Sequence, residues 1–136
     1  MSGGADIRIA AAVIVDARGR TLLVRKRGTS AFMQAGGKVG PDESPAEALA
    51  REIREELDCG LASPPVPLGR FRAPAANEPG RIVEAELFAA VLDGEIRPAG
   101  EIDELIWHDP DDLDVILAPL TRDHVLPLVP TLRRNA

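Results

Sequence analysis

The sequence predicts an α/β fold in which a mixed β-sheet lies between helices. Stretches of β-compatible apolar residues occur on both sides of one clearly predicted helix at residues 44–57. A long alternating stretch follows that helix, and a second helical pattern covers residues 121–132. Elements in this order are typical of a sheet that is covered by helices on both faces.

The N-terminal part of the chain predicts a hairpin. Residues 7–15 are apolar and β-compatible, which favours a strand buried on both faces. A turn follows at residues 16–19, and the alternation over residues 21–27 predicts the antiparallel partner strand. Arg25 and Arg27 are two residues apart on that strand, so we expect them to point to the same side.

The helix predicted at residues 44–57 begins after Ser44. Ser44 is a favourable N-cap, Pro45 suits the first helical position, and Glu47 completes a capping box. We expect the helix to end near Asp58 or Gly60, either of which tolerates the left-handed conformation. Apolar residues at helical spacing predict one buried stripe, formed by Ala46, Leu49, Ala50, Ile53 and Leu57.

Two strands and a late helix are predicted in the second half of the chain. Residues 66–72 form a short strand, and residues 81–92 form a long one with Glu84 and Glu86 on one face. These glutamates indicate a solvent-facing side or, alternatively, the wall of a cleft. A favourable N-cap threonine begins the last helix at residues 121–132, whose two prolines should distort it.

The composition is that of an ordinary globular protein. The 136 residues suffice for one domain, which we expect over residues 1–136 with about the first five flexible. The net charge of -6 and the pI near 4.9 argue against electrostatic binding to a nucleic-acid polymer or an anionic membrane. A lone cysteine, short apolar runs and the lack of a signal-peptide core favour a cytoplasmic protein.

Three glutamates of the helix predicted at residues 44–57 lie on one arc beside its apolar stripe. Glu52, Glu55 and Glu56 stand at spacing i, i+3, i+4, at the rim of the core where water is partly excluded. Carboxylates this close repel one another, and a divalent cation such as Mg²⁺ would relieve the repulsion. Arg51 can pair with Glu55 one turn later. The alternative is a solvated acidic face on a surface helix.

The glycine loop and the helix together match a fixed pattern, G-x5-E-x7-R-E-x-x-E-E, over residues 37–56. At average residue usage, its six fixed positions coincide by chance in about one window in ten million. The pattern is the Nudix box, and the chain resembles the small MutT-like members of the Nudix hydrolase family. Asp58 stands where that family usually has glycine, and Ala35 where it often has proline.

The resemblance implies a Nudix-type α/β/α sandwich and Mg²⁺-dependent hydrolysis, with Mn²⁺ able to replace Mg²⁺. The catalytic residues that it implies are Glu52, Glu55, Glu56, Arg51 and Glu43. The implied metal ligands are Glu52, Glu55, Glu56, Gly37 and Glu101. The implied substrate contacts are Arg25, Arg27, Phe32, Gly36 and Lys38.

Several of these assignments leave alternatives open. Glu101 stands six residues before Trp107, as an additional metal ligand does in MutT-like enzymes, and Glu104 is the other candidate for that ligand. The general base is either Glu52 or Glu101. Phe32 either stacks on a base or anchors its loop by packing.

The resemblance implies a small-molecule substrate, namely a nucleoside diphosphate linked to another moiety, and a monomer or homodimer. The first expectation is a (deoxy)nucleoside triphosphate pyrophosphohydrolase, including one that removes modified nucleotides. The alternative is an ADP-ribose or nucleotide-sugar pyrophosphatase. A non-catalytic nucleotide sensor on the same fold is disfavoured because every box glutamate is present. An isopentenyl diphosphate isomerase is disfavoured because Cys59, at the helix end, is poorly placed for catalysis.

Overall fold

The computed structural model describes residues 6–133, so the first five residues, for which we predict flexibility, lie outside the described part. The strands are β1 (Ile7–Val13), β2 (Thr21–Lys26), β3 (Gly36–Lys38), β4 (Gly60–Leu61), β5 (Val66–Pro74), β6 (Ile82–Ala89), β7 (Leu92–Asp93) and β8 (Ile102–His108). Helix α1 (Pro45–Leu57) lies between β3 and β4. A C-terminal helical segment consists of a π-helical turn (Thr121–Val125), a 3₁₀ turn (Leu126–Leu128) and α2 (Val129–Arg133). No helix within residues 6–133 is long and apolar enough to cross a membrane.

The central sheet is mixed and has helices on both faces. Its strand order is β3-β1-β6-β5, in which β1 runs parallel to β6 and antiparallel to β3. Alternate residues of β1 face opposite ways, so Ala10 and Ala12 contribute to the core against α1, and Ala11 and Val13 to the core against the C-terminal segment. β1 is therefore buried on both faces, as the sequence predicts.

The predicted hairpin forms only next to its turn. Val15 pairs with Thr21, and the N–H groups of Leu22 and Asp16 donate to Ile14 O and Arg20 O, but β2 pairs with β8 along its length from Thr21 to Lys26. Both edges of β1 are already occupied, by β3 and β6. The backbone groups of β2 must therefore find another partner strand.

Helix α1 begins and ends where its sequence predicts. Ser44 accepts a hydrogen bond from the Glu47 N–H at 3.1 Å, and the Glu47 carboxylate accepts one from the Ser44 N–H at 2.8 Å, which completes the capping box. Asp58 ends the helix in the left-handed conformation, with φ 53° and ψ 44°. The buried face differs from the predicted stripe, because Ala48 is buried where Ala50 is exposed. The buried arc is thus rotated toward the glutamates, and it includes Glu56.

The long strand is shorter than predicted and its glutamates are paired. β6 ends at Ala89, because the chain beyond it turns to pair with β4. Glu84 accepts a hydrogen bond from Arg72 at 3.1 Å, and Glu86 accepts one from Arg70 at 2.9 Å. The two carboxylates therefore face arginines of the neighbouring strand β5.

The C-terminal helical segment covers the second face of the sheet. Its apolar residues Leu120, Val125 and Val129 are buried against β1 and β6. Pro127 lies within the 3₁₀ turn, which is the predicted distortion. Thr121 is not an N-cap, because its hydroxyl is fully buried and donates to the Gln34 side chain instead.

Candidate active site

Two glycines of the loop before α1 lie very close to neighbouring elements, Gly37 to the helix and Gly36 to β1. A Cβ at Gly37 would lie 2.4 Å from Glu52 Oε2, and a Cβ at Gly36 would lie 2.2 Å from the carbonyl oxygen of Ala10. Gly36 also has φ +152° and pairs with Ala11 of β1. These two glycines therefore let β3 pair closely with β1 while a carboxylate of α1 contacts its backbone.

Arg51 connects the glycine loop with the glutamates of α1. Its guanidinium donates to both carboxylate oxygens of Glu43, at 2.7 and 3.0 Å, and to Glu52 Oε2 at 3.0 Å. It also donates to the carbonyl oxygen of Lys38 at 3.1 Å. The predicted pairing with Glu55 is present but long, at 3.4 Å. The bidentate contact with Arg51 lowers the pKa of Glu43, and the Gly40 N–H adds to that effect.

Glu52 and Glu56 are carboxylates held in a partly dry environment. Glu56 is 5% exposed and accepts a hydrogen bond from the Gly36 N–H at 2.9 Å. Burial raises the pKa of Glu56 to about 7, and repulsion from Glu52 and Glu101 adds to the increase. Burial also raises the pKa of Glu52, with repulsion from Glu55 in the same direction. The repulsion expected for the glutamate cluster is therefore present.

Glu101 reaches this cluster on a loop that crosses the end of α1. The N–H of Ala99 donates to Glu56 O at 3.0 Å, and the N–H of Arg27 donates to Glu101 O at 2.9 Å. A Cβ at Gly100 would lie 3.0 Å from the carbonyl oxygen of Glu55, so this glycine permits the close crossing. Repulsion from Glu101 also contributes to the raised pKa of Glu56.

Glu104 lies elsewhere. It stands opposite Arg25 on the neighbouring strand, and its carboxylate accepts hydrogen bonds from Arg25 at 3.3 and 3.4 Å. Of the two candidates for the additional ligand, Glu101 is therefore the one that the fold brings to the glutamates of α1.

A cavity of about 400 Å³ opens beside Gly36 and Gly37. Charged side chains form one part of its wall: Lys26, Arg27, Lys38, Glu78 and Glu101. Apolar side chains form another part, which continues the core under the C-terminal segment: Ile7, Ile9, Ala11, Met33, Val83, Ala118 and Leu120. Such a wall suits a ligand with an anionic end and an apolar body.

The basic residues of this cavity differ from the predicted set. Lys26 and Arg27 both line it, and Lys26 acts electrostatically on Glu52 and Glu56. Arg25 does not line it, because its guanidinium pairs with Asp103 at 2.7 Å. The register between β2 and β8 shifts between Arg25 and Lys26, so the expected alternation ends there. The sequence Arg25-Lys26-Arg27 indicates positive charge at the end of β2, but nothing in it indicates the register shift.

Three further predicted contacts have clear positions. Gly36 and Lys38 line the cavity, and Lys38 Nζ lies 3.8 Å from Glu78 Oε1. Phe32 is absent from the cavity wall and exchanges backbone hydrogen bonds with residues 116–118 instead. Met33 and Gln34 take the place beside the cavity that we expected of Phe32.

The glutamates share one helix face without meeting at one point. Within residues 6–133, no three His, Cys, Asp or Glu side chains form a group that could hold a metal ion as they stand. Arg51 holds Glu52, the Gly36 N–H holds Glu56, and Glu55 is 55% exposed in its side chain. Their carboxylate oxygens nevertheless suit a hard divalent cation, and the pKa values of Glu52 and Glu56 are raised by burial and, to a lesser extent, by repulsion that such a cation would remove. The residues therefore fit Mg²⁺.

Comparisons with known proteins show which family the chain resembles in sequence. The sequence profile of the NUDIX domain matches residues 6–129. The CTP pyrophosphohydrolase of Escherichia coli (strain K12) is 34% identical over 114 residues, which are 79% of this chain and 81% of that protein.

Solved structures with the same fold include the MutT NUDIX hydrolase from Burkholderia pseudomallei. It superposes with a TM-score of 0.76 at 29% identity, over 89% of this chain and 95% of that one. The solution structure of the E. coli ORF135 protein gives a TM-score of 0.68 at 30% identity, over 94% of this chain and 89% of that one. These superpositions confirm the predicted α/β fold, a mixed sheet between helices.

Proposed function

This chain belongs to the Nudix hydrolase family, and from that membership we propose that it hydrolyses (deoxy)nucleoside triphosphates in a reaction that depends on Mg²⁺. As a Nudix hydrolase it acts on phosphoanhydride bonds. Its similarity to a CTP pyrophosphohydrolase supports a nucleoside triphosphate as the substrate. Release of a nucleoside monophosphate and pyrophosphate is the expected outcome.

The observation that carries this proposal is the position of Glu52 and Glu56. Both carboxylates lie directly against Gly36 and Gly37, and these glycines line the charged part of the cavity. Lys26 acts on both glutamates and lines the same part of the wall. Glu52 and Glu56 do not line the cavity themselves, but they lie directly behind the glycines of its wall, and Glu101 and basic groups line it. Such an arrangement suits a metal-bound polyphosphate.

The residues that would hold Mg²⁺ are Glu52, Glu55 and Glu56 from α1, Glu101 from the crossing loop, and the backbone carbonyl of Gly37. Mg²⁺ at such a site supplies a water of lowered pKa and neutralises charge on the phosphate oxygens. The glutamates contribute oxygen ligands only, which agrees with the preference of Mg²⁺.

The chain's own side chains would handle the proton and the phosphate charge. Glu52, whose pKa burial raises, would accept the proton of the attacking water on a carboxylate oxygen, and Glu101 is the alternative base. Arg51 would fix the rotamer of Glu52 through its 3.0 Å hydrogen bond, while Glu43 holds Arg51 in place. Lys26, Arg27 and Lys38 would bind phosphate oxygens at the cavity wall.

The proposed reaction is tested with a substrate panel. Purified protein is incubated with CTP, the other common and modified nucleoside triphosphates, ADP-ribose and nucleotide sugars, and the products are identified. We expect turnover of nucleoside triphosphates with Mg²⁺ or Mn²⁺ and none with EDTA. Turnover in EDTA, or a lack of activity on every diphosphate-containing compound, contradicts the proposal. Preferential cleavage of ADP-ribose or nucleotide sugars supports the alternative substrate class.

The roles of the glutamates are tested by single substitutions on one helix. Glu52→Gln, Glu55→Gln and Glu56→Gln should each lower kcat by about 10²-fold or more, because each removes a carboxylate from the reacting site. Glu47→Gln is the matched control, since glutamine preserves the capping box at the exposed first turn. It should retain nearly full activity. Equal losses at all four positions would indicate destabilisation of α1 and not a loss of catalytic groups.

A further inference from the structure

Gln34 carries a buried amide group that lacks a partner. Within residues 6–133, the buried side-chain nitrogens without a hydrogen-bond partner are Gln34 Nε2 and His108 Nδ1, and of the two residues Gln34 lines the cavity. Gln34 is 5% exposed. An unpaired buried amide costs folding free energy, so its presence beside a cavity calls for a function.

Thr121 determines which end of that amide is available. The Thr121 hydroxyl donates to Gln34 Oε1 at 2.9 Å, and Thr121 itself is fully buried. This bond joins the segment before β3 to the start of the C-terminal helical segment, which is a long-range contact in the sequence. Because Oε1 is occupied, the amide has its N–H donors left to offer.

The surroundings of Gln34 suit the base of a nucleotide. Thr121 follows Leu120, which belongs with Ile7, Ala11 and Val83 to the apolar part of the cavity wall. Among residues 6–133, no aromatic side chain lines this cavity. A base held here would lie between aliphatic side chains, and stacking would contribute little to its recognition. Its orientation would then depend on hydrogen bonds from the few buried polar groups.

We propose that Gln34 Nε2 donates a hydrogen bond to an acceptor on the substrate's nucleobase, a carbonyl oxygen or a ring nitrogen. Gln34 is then a specificity-determining residue that acts on the base, whereas the glutamates act at the phosphates. The proposal rests on the proposed function in requiring a nucleoside triphosphate as ligand. This nitrogen has almost no surface open to water in the ligand-free protein, so the bond requires the Gln34 amide to turn toward the cavity that the residue lines.

Binding of non-hydrolysable nucleoside triphosphate analogues tests the proposal independently of turnover. Dissociation constants are measured by calorimetry in Mg²⁺ for the wild type and for Gln34→Met, which keeps the length of the side chain and removes the donors. We expect about tenfold weaker binding of the analogues, the effect of one hydrogen bond. Binding of inorganic tripolyphosphate, which has no base, should stay unchanged.

Two controls separate recognition from a structural role. Thr131→Val removes an exposed hydroxyl that does not line the cavity and should change the dissociation constant less than twofold. The double variant Gln34→Met/Thr121→Val removes both partners of the buried hydrogen bond. It should keep or raise the melting temperature of the ligand-free protein while it weakens analogue binding, since it also removes the unpaired amide.

The outcomes distinguish this proposal from the proposed function. Equal weakening for the analogues and tripolyphosphate, an equal effect of Thr131→Val, or unchanged analogue binding in Gln34→Met overturns the role of Gln34. Failure of every analogue to bind the wild type also overturns it. If analogues bind and Gln34→Met weakens them while no nucleotide is hydrolysed, the role of Gln34 stands and the proposed reaction fails.

Discussion

Glu56 is a carboxyl group whose ionisation opposes folding. Its pKa is about 7 in the folded protein against an ordinary value of 4.5, because burial disfavours the charged form. Between these values the folded state binds more protons than the unfolded state, so stability falls as the pH rises through this window. The contribution is present below pH 4.5 and is lost above about pH 7. A divalent cation bound to Glu56 would reverse this penalty at neutral pH.

The first prediction is therefore a pH-dependent stabilisation of the metal-free protein by Glu56→Gln. At pH 8 in EDTA the variant should be more stable than the wild type by up to about 3 kcal/mol, and the difference should shrink toward pH 5. Urea unfolding at several pH values measures this directly. Glu47→Gln, at an exposed position of the same helix, should follow the wild type at every pH. A constant difference between Glu56→Gln and the wild type would contradict the raised pKa.

Some residues of the site can be predicted from the sequence and others cannot. The box glutamates, Arg51 and Glu43 were predictable because one helix and its loop hold them at fixed spacing. Lys26 was not, because a register shift between β2 and β8 depends on a strand far away in the sequence. Gln34 was not, because its significance comes from a missing partner, which only the folded environment reveals.

Two adjacent glycines of β3, Gly36 and Gly37, contact different neighbours. Gly36 lies against the backbone of β1, with a Cβ position 2.2 Å from the Ala10 carbonyl oxygen. Gly37 lies against a side chain, with a Cβ position 2.4 Å from Glu52 Oε2. Backbone cannot move without breaking strand pairing, whereas a carboxylate can rotate away. The two positions should therefore respond differently to the same added methyl group.

The second prediction follows from this contrast between alanine substitutions. Gly36→Ala should destabilise the protein strongly, by about 3 kcal/mol or more, because it forces β3 away from β1 at an unfavourable φ. Gly37→Ala should fold with a loss of about 1 kcal/mol or less and lose most activity, because the methyl group displaces Glu52. Unfolding curves and kcat for both variants provide the measurement. A Gly37→Ala variant that is both stable and fully active would remove Glu52 from the proposed site.

At the scale of elements, the sequence predicts the helices and strands better than it predicts which strands pair. Helix α1 follows from its capping box and apolar spacing, which are encoded within about fifteen residues. The partner of β2 does not follow from its own sequence, because β8 lies some eighty residues later and the nearer strand β1 was the plausible alternative. The C-terminal helix is predicted in place and length, together with its distortion at Pro127, but the burial of Thr121 depends on a hydrogen bond to the distant Gln34.

At the scale of the whole molecule, the candidate site is assembled from distant parts of the chain. β2 contributes Lys26, β3 contributes the paired glycines, and the C-terminal segment contributes Leu120 and Thr121 to one cavity. The segment after β5, residues 75–78, lines the same cavity. Ligand binding should therefore stabilise the global fold through several segments at once and raise the melting temperature as the ligand concentration increases.

Substitution of Glu101 tests whether the loop before β8 contributes a ligand to the metal site. The helix supplies carboxylates from one side, and the crossing loop places Glu101 near Glu56 through the hydrogen bond from Ala99 N–H to Glu56 O. Glu104 points to Arg25 on the exposed side of the β2–β8 pair. A ligand role for Glu101 therefore predicts different effects of the same substitution at two acidic residues three positions apart.

Glu101→Gln should raise the Mg²⁺ concentration needed for half-maximal activity and lower kcat by about 10²-fold, the lower end of the range for loss of a group that acts on the reacting water. Its melting temperature in EDTA should match that of the wild type, because Glu101 is exposed and its backbone holds the loop. Glu104→Gln should leave metal dependence and kcat unchanged, since it loses only a surface ion pair. The measurements are Mg²⁺ titrations of activity and thermal unfolding of both variants. Full activity of Glu101→Gln at saturating Mg²⁺ together with a loss in Glu104→Gln would transfer the ligand role to Glu104.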